Sequence, residues 1–280
     1  MIDYINDAII DTIKLMPYLI ITFIILEYLE HKLNNKTNRM LRENEKYGPI
    51  IGSLFGALPQ CGFSAMAANL YSSKIITMGT LIAVFLSTSD EMLPIMIGEK
   101  INITVVFKII LTKIIIAIII GLIIDIIHKK KKTNINNSIK KMCEEEHCSC
   151  GKNGIIISSI KHTIKISLFI LIANIMINML IFKLGEDNIS NLLTNKNLLT
   201  YFLASLIGLI PNCASSVIIT KLFISKIITF GTLMSGLLTG SGLGILLLFR
   251  TNENIKENIK ILSIVYLTGV IVGIIIDFII

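Results

Sequence analysis

The chain has 280 residues, of which 53% are hydrophobic and only 16% charged, with a formal net charge of +7 and a mean hydropathy of +0.77. A soluble domain carries about 25% charged residues, so a water-soluble globule is excluded. The apolar runs are continuous and rich in Ile and Leu rather than alternating, which excludes an outer-membrane barrel and leaves an all-α polytopic membrane protein.

In chain order, apolar segments are expected near 9–30, 48–72, 75–98, 103–127, 161–184, 199–222, 226–249 and 258–280. Each is long enough for a span of about 20 residues. The N-terminal MIDYINDAIIDTIK lacks a basic region and a small-residue cleavage site, so the first segment is expected to stay in the mature chain. The basic residues sit in short loops between apolar runs, which points to membrane orientation rather than to nucleic acid.

Residues 53–81, SLFGALPQCGFSAMAANLYSSKIITMGTL, align without gaps to 205–233, SLIGLIPNCASSVIITKLFISKIITFGTL, with 15 identities in 29 positions at an offset of 152. The same offset pairs Gly121 with Gly273 and Asp125 with Asp277, and an offset of 151 pairs the TIK at 12–14 with the TIK at 163–165. This reads as duplication of a unit of about 120 residues, since such a period is the mark of repeated architecture. The chain then divides into a first transmembrane repeat at 1–127, a charged Lys/Cys/His loop at 128–160, and a second repeat at 161–280.

Loop 31–47 carries Lys32, Lys36, Arg39, Arg42 and Lys46, and loop 128–160 carries seven lysines, so both are expected in the cytoplasm. Loop 185–198 has Lys196 as its only base and is placed outside; 250–260, with Arg250, Lys256 and Lys260, is placed inside. Because 31–47 and 185–198 correspond in the repeat, the two halves should be inverted. Each half must then cross an odd number of times, so some helices must be broken or re-entrant, giving about 8–10 membrane segments.

The expected breaks are Pro59-Gln60-Cys61 and Pro211-Asn212-Cys213, because proline interrupts the helix ladder. Interrupted helices at matching places in inverted repeats point to a transporter with its site at mid-membrane. Gln60 and Asn212 offer amide oxygens, Ser216 a hydroxyl, and Cys61 and Cys213 soft sulfur. The alternative is a pair of kinked helices with cysteines packed as small apolar residues.

Ser87-Thr88-Ser89-Asp90-Glu91 is the least expected stretch, since a carboxylate at the bilayer centre costs roughly 2.5–3.5 kcal/mol on insertion scales. It reads either as a polar cavity supplying Ser87, Ser89, Asp90 and Glu91 to an ion pathway or, because Pro94 follows, as a surface loop. The second repeat has Thr239-Gly240-Ser241-Gly242 there, so charge belongs to one half only. Those glycines allow either close backbone approach to a ligand or close helix packing. Asp125 and Asp277 read as interfacial or capping groups, and Glu27 as an interface acid.

In the central loop, Cys143, His147, Cys148 and Cys150 gather metal-ligating types in eight residues, although C-x4-C-x-C is not a standard zinc spacing. A solvated linker, its acids offsetting neighbouring lysines, explains the loop as well as a weak capture site does.

The words GALPQCGFSAMAANLYSSKIITMGTLIAVFLSTSDEMLPIM at 56–96, GLIPNCASSVIITKLFISKIITFGTLMSGLLTGSGLGILLLFR at 208–250 and the closing IKILSIVYLTGVIVGIIIDF resemble the ten-transmembrane heavy-metal exporters of bacteria, labelled arsenic efflux proteins or manganese transporters. The resemblance implies five crossings per half, a multi-pass place in the bacterial inner membrane, and export of a metal or metalloid ion. Thiophilic arsenite favours sulfur and manganese(II) favours oxygen. With Asp90 as charge and Cys61 and Cys213 as the core thiols, oxygen donors outnumber sulfur and manganese is the preferred reading.

The expected partners are the lipid bilayer, the exported ion and protons as coupling ion through Asp90 or Glu91, with no permanently bound cofactor. No Walker motif is present, so coupling should be secondary. A permease or channel for an organic solute is the alternative. An embedded enzyme is disfavoured by the absence of HExxH, GxSxG or a second intramembrane acid to pair with Asp90-Glu91.

Overall fold

A computed structural model describes residues 47–58, 61–89, 92–128, 198–211 and 213–279, with helical positions scattered through 9–24 and 160–175. The described residues form helices and no strand. The first half contains α1 (Gly48–Gly56), α2 (Cys61–Ser72), α3 (Met78–Ser87), α4 (Met92–Gly98) and α5 (Ile103–Ile127). The second contains α6 (Leu198–Gly208), α7 (Cys213–Ile224), α8 (Phe230–Thr239), α9 (Gly244–Thr251) and α10 (Ile255–Ile279).

The duplicated sequence gives duplicated structure, down to single hydrogen bonds. The shared Ser-Lys-Ile-Ile-Thr forms the same turn twice. Lys74 and Lys226 adopt left-handed backbone at φ 58° and 60°, and Ile75 and Ile227 donate back to the carbonyls of Leu70 and Leu222 at 2.9 and 3.0 Å. This is a Schellman ending for α2 and α7. The threonine that closes the motif caps the next helix: Thr77 accepts from the Thr80 amide at 3.1 Å, and Thr229 from Thr232 at 3.2 Å.

The helices α3 and α8 form the centre, with every residue from Gly79 to Ser87 and from Gly231 to Thr239 buried. The 25-residue helices α5 and α10 flank them. Along α5, Val106, Ile109, Lys113, Ala117, Gly121 and Ile124 face inward, while Ile103, Phe107, Leu111, Ile115, Ile119 and Ile123 form an exposed stripe. A helix apolar on its outward face as well is one that meets lipid. At 1.5 Å per residue, 25 residues rise about 37 Å, enough for the roughly 30 Å hydrocarbon core. Ile103–Ile127, Phe230–Thr251 and Ile255–Ile279 are long and apolar enough to cross. By contrast α1 to α4 and α6 to α9 have 7 to 12 residues each, too short to cross singly.

Neighbouring residues give the helix directions. Gly48 lies beside Thr80, Gly52 beside Val84 and Gly56 beside Ser87, so α1 and α3 point the same way. Since a short turn joins α2 to α3, α2 returns toward the end from which α1 set out. The pairs Gly208 with Gly236 and Thr239, and Gly236 with Ala204, repeat this for α6 and α8. Across the halves, Gly244 lies against Ser64 and the Thr251 hydroxyl meets that of Ser72 at 2.7 Å, so α9 runs alongside α2. The start of α8 reaches the start of α5, where Lys108 stands 5.1 Å above the Phe230 ring. At the opposite end His128, after α5, meets Lys260 near the start of α10.

Candidate functional site

Both expected proline breaks fall between helices. The turn after α1 tightens, with Leu58 donating to Phe55 at 3.2 Å, and α6 ends in the same way, with Ile210 donating to Ile207 at 3.0 Å. Pro211 follows directly and cannot donate the next bond. α2 and α7 then begin at Cys61 and Cys213. Pro59, Gln60 and Asn212 lie outside the described residues, and the side chains of Cys61 and Cys213 are likewise not described.

A second break in each half falls at the polar words. α3 ends at Ser87 and α4 begins at Met92; α8 ends at Thr239 and α9 begins at Gly244. Ser87, Thr88 and Ser89 are 0–2% exposed. They therefore form an interior break, and the surface-loop reading of this stretch does not hold for them. In the second half Gly242 takes φ 53°, a conformation glycine adopts without strain. The closeness of Gly244 to Ser64 and Phe85 adds tight packing to the role of this glycine run.

The two interior breaks meet. Thr88 and Ser89 from the first half, and Ser215, Ser216, Gly240 and Gly242 from the second, line one narrow cleft of about 10 Å³, room for about one water. The Ser89 hydroxyl donates to the Ser87 carbonyl at 3.1 Å. Ser87 itself donates to Val84 at 3.1 Å and faces Gly56, so it belongs to the contact between α1 and α3. Asp90 and Glu91 stand in sequence between Ser89 and Met92, both of which line the cleft; they lie outside the described residues, as do Glu27 and Cys143, His147, Cys148 and Cys150. Among the described residues no group of three His, Cys, Asp or Glu side chains comes together.

One residue at this junction escaped the sequence reading. Lys113, midway along α5 and 1% exposed, donates from Nζ to the Thr88 carbonyl and, at 2.7 Å, to the Leu237 carbonyl of the other half. The signal was present, because a lysine inside LTKIIIAIII is an ionisable group within a membrane span. Asp125 and Asp277 are caps: Asp125 accepts from Thr77 at 2.7 Å and from the Gly79 amide at 2.8 Å. Asp277 accepts from Thr229, from the Gly231 amide at 2.7 Å, and from Tyr201 at 2.9 Å. Each carboxylate thus meets the positive end of α3 or α8.

The chain matches the family model described as "Putative, 10TM heavy-metal exporter" over residues 1–185 and again over 151–280. No curated protein and no solved structure matches it.

Proposed function

We infer that this chain, which belongs to the 10TM heavy-metal exporter family, is a secondary active exporter of a metal ion built from two inverted repeats. The helix directions support the inversion: within each half the first and third helices are parallel, yet α9 of the second half lies along α2 of the first and ends beside its last residue. On that arrangement α1–α2 and α6–α7 are re-entrant hairpins. The start of α1, the end of α5 and the start of α10, which in sequence border the basic stretches 31–47, 128–160 and 250–260, then lie at one end, the end where His128 meets Lys260. By the positive-inside rule that end is cytoplasmic, with the inner membrane of a bacterium as the setting.

The observation that carries the proposal is the cleft at which the interior breaks of both halves converge within the bundle. Broken helix ends leave backbone carbonyls without helical donors; Lys113 takes those of Thr88 and Leu237, and beside them stand the hydroxyl-bearing Thr88, Ser89, Ser215 and Ser216. Oxygen donors of this kind favour a harder cation, so manganese(II) is preferred to arsenite as cargo. Asp90 and Glu91, flanked by cleft residues, supply the charge and couple transport to protons. Cys61 and Cys213 open the two helices after the proline breaks and would serve a metalloid instead.

The test is the manganese and arsenic content of loaded cells, by elemental mass spectrometry, with wild type, Asp90→Asn and Cys61→Ser/Cys213→Ser. Manganese falling with wild type and not with Asp90→Asn upholds the oxygen site. Arsenic alone falling, and only while the thiols are present, replaces manganese by arsenite. Neither element moving, in cells that insert the protein, removes the metal reading in favour of an organic-solute permease.

A further inference from the structure

The carbonyl of Leu237 lies in the last turn of α8. In a continuing helix it would accept the Ser241 amide, but that amide donates to Thr239 at 2.9 Å instead. Such a carbonyl must find another donor when buried. The Thr88 carbonyl is the first beyond the end of α3. The negative ends of two helix dipoles therefore converge, and the ammonium of Lys113 donates to both carbonyls. The repeat counterpart of Lys113 is Val265, also fully buried, so only one half supplies this cation.

We propose that Lys113 is a tethered cation occupying a monovalent-cation site formed by the Thr88 and Leu237 carbonyls, and that removing its side chain opens the site to a free ion of the same size and charge, ammonium. The same side chain ties the halves together in this conformation, because one bond goes to each. A conformation in which the ends of α3 and α8 separate must break one of them. The proposal concerns the resident cation and stands whether the cargo is manganese, arsenite or an organic solute.

The experiment measures thermal unfolding of the full chain, as a fluorescent fusion extracted from membranes, in choline chloride and in ammonium chloride of equal ionic strength and pH. Wild type should unfold at the same temperature in both salts. Lys113→Ala should lose about 5 °C or more in choline and regain much of the loss, saturably, in ammonium. Lys113→Met, which fills the space without charge, should lose stability in both. The proposal is overturned if Lys113→Ala matches wild type in choline, if ammonium and choline act alike on it, or if ammonium rescues Lys113→Met equally well. Should Lys113→Ala not be recovered in either salt, Lys113→Arg decides. It keeps a cation and should unfold closer to wild type than Lys113→Met, and no advantage over Lys113→Met overturns the proposal.

Discussion

The carboxylate of Asp125 holds the backbone N–H of Gly79 at 2.8 Å, tying the end of α5 to the start of α3. Asp277 holds Gly231 in the same way, at 2.7 Å. Charge-assisted bonds to helix N-termini are strong, and their loss leaves buried amides unpaired. Asp125→Ala and Asp277→Ala should each destabilise by about 1.5–3 kcal/mol, read as a fall in the unfolding midpoint in detergent. Tyr201→Phe should cost less, about 1 kcal/mol, because the Asp277 carboxylate keeps its other donors.

Gly79 permits the contact that this pair secures. A Cβ there would stand 2.1 Å from the Gly121 carbonyl oxygen and 2.5 Å from the Asp125 carboxyl carbon. Gly79→Ala should therefore cost about 1–3 kcal/mol or more through overpacking. Gly98→Ala, which meets nothing within 4 Å, should not lower the unfolding midpoint and serves as the control.

The left-handed turn at Lys226, φ 60°, imposes a backbone strain that glycine avoids. Lys226→Gly should stabilise the chain by about 0.5–1 kcal/mol after the entropy that glycine loses on folding. The measurement is again thermal unfolding, and the sign is opposite to that of the aspartate and glycine variants above.

The pairing of the halves is open to cross-linking. Ser72 and Thr251 place their hydroxyl oxygens 2.7 Å apart, within the reach of a disulfide. In a chain with its five natural cysteines replaced, Ser72→Cys/Thr251→Cys should oxidise readily and shift mobility on a non-reducing gel, while either single variant should not.

Much of the fold was legible because duplication writes each structural device twice. Pro59 and Pro211 marked the first breaks, and the repeated Asp125 and Asp277 marked the caps. The second break at 88–91 was harder to read, because Ser-Thr-Ser-Asp-Glu suits both a surface loop and a polar interior, and burial alone separates the two. The pairing of α2 with α9 across halves leaves no periodic trace, since it rests on scattered small and hydroxyl-bearing residues, Gly244 against Ser64 and Thr251 against Ser72. Lys113 was passed over because one lysine barely alters the hydropathy of a 25-residue helix; its importance comes from carbonyls that the α3 and α8 breaks expose, far away in sequence.

Manganese(II) flux into proteoliposomes, with wild type beside Gly240→Ala and Gly240→Leu, tests most directly whether the junction cleft is the transport site. A Cβ on Gly240 meets only ordinary contacts at 3.5–3.8 Å, so Gly240→Ala should fold; Gly240→Leu, which fills the cleft that Gly240 lines, enters the comparison with its unfolding midpoint measured alongside. The account predicts flux with wild type and Gly240→Ala and background flux with a stably folded Gly240→Leu. Undiminished flux through Gly240→Leu would contradict it.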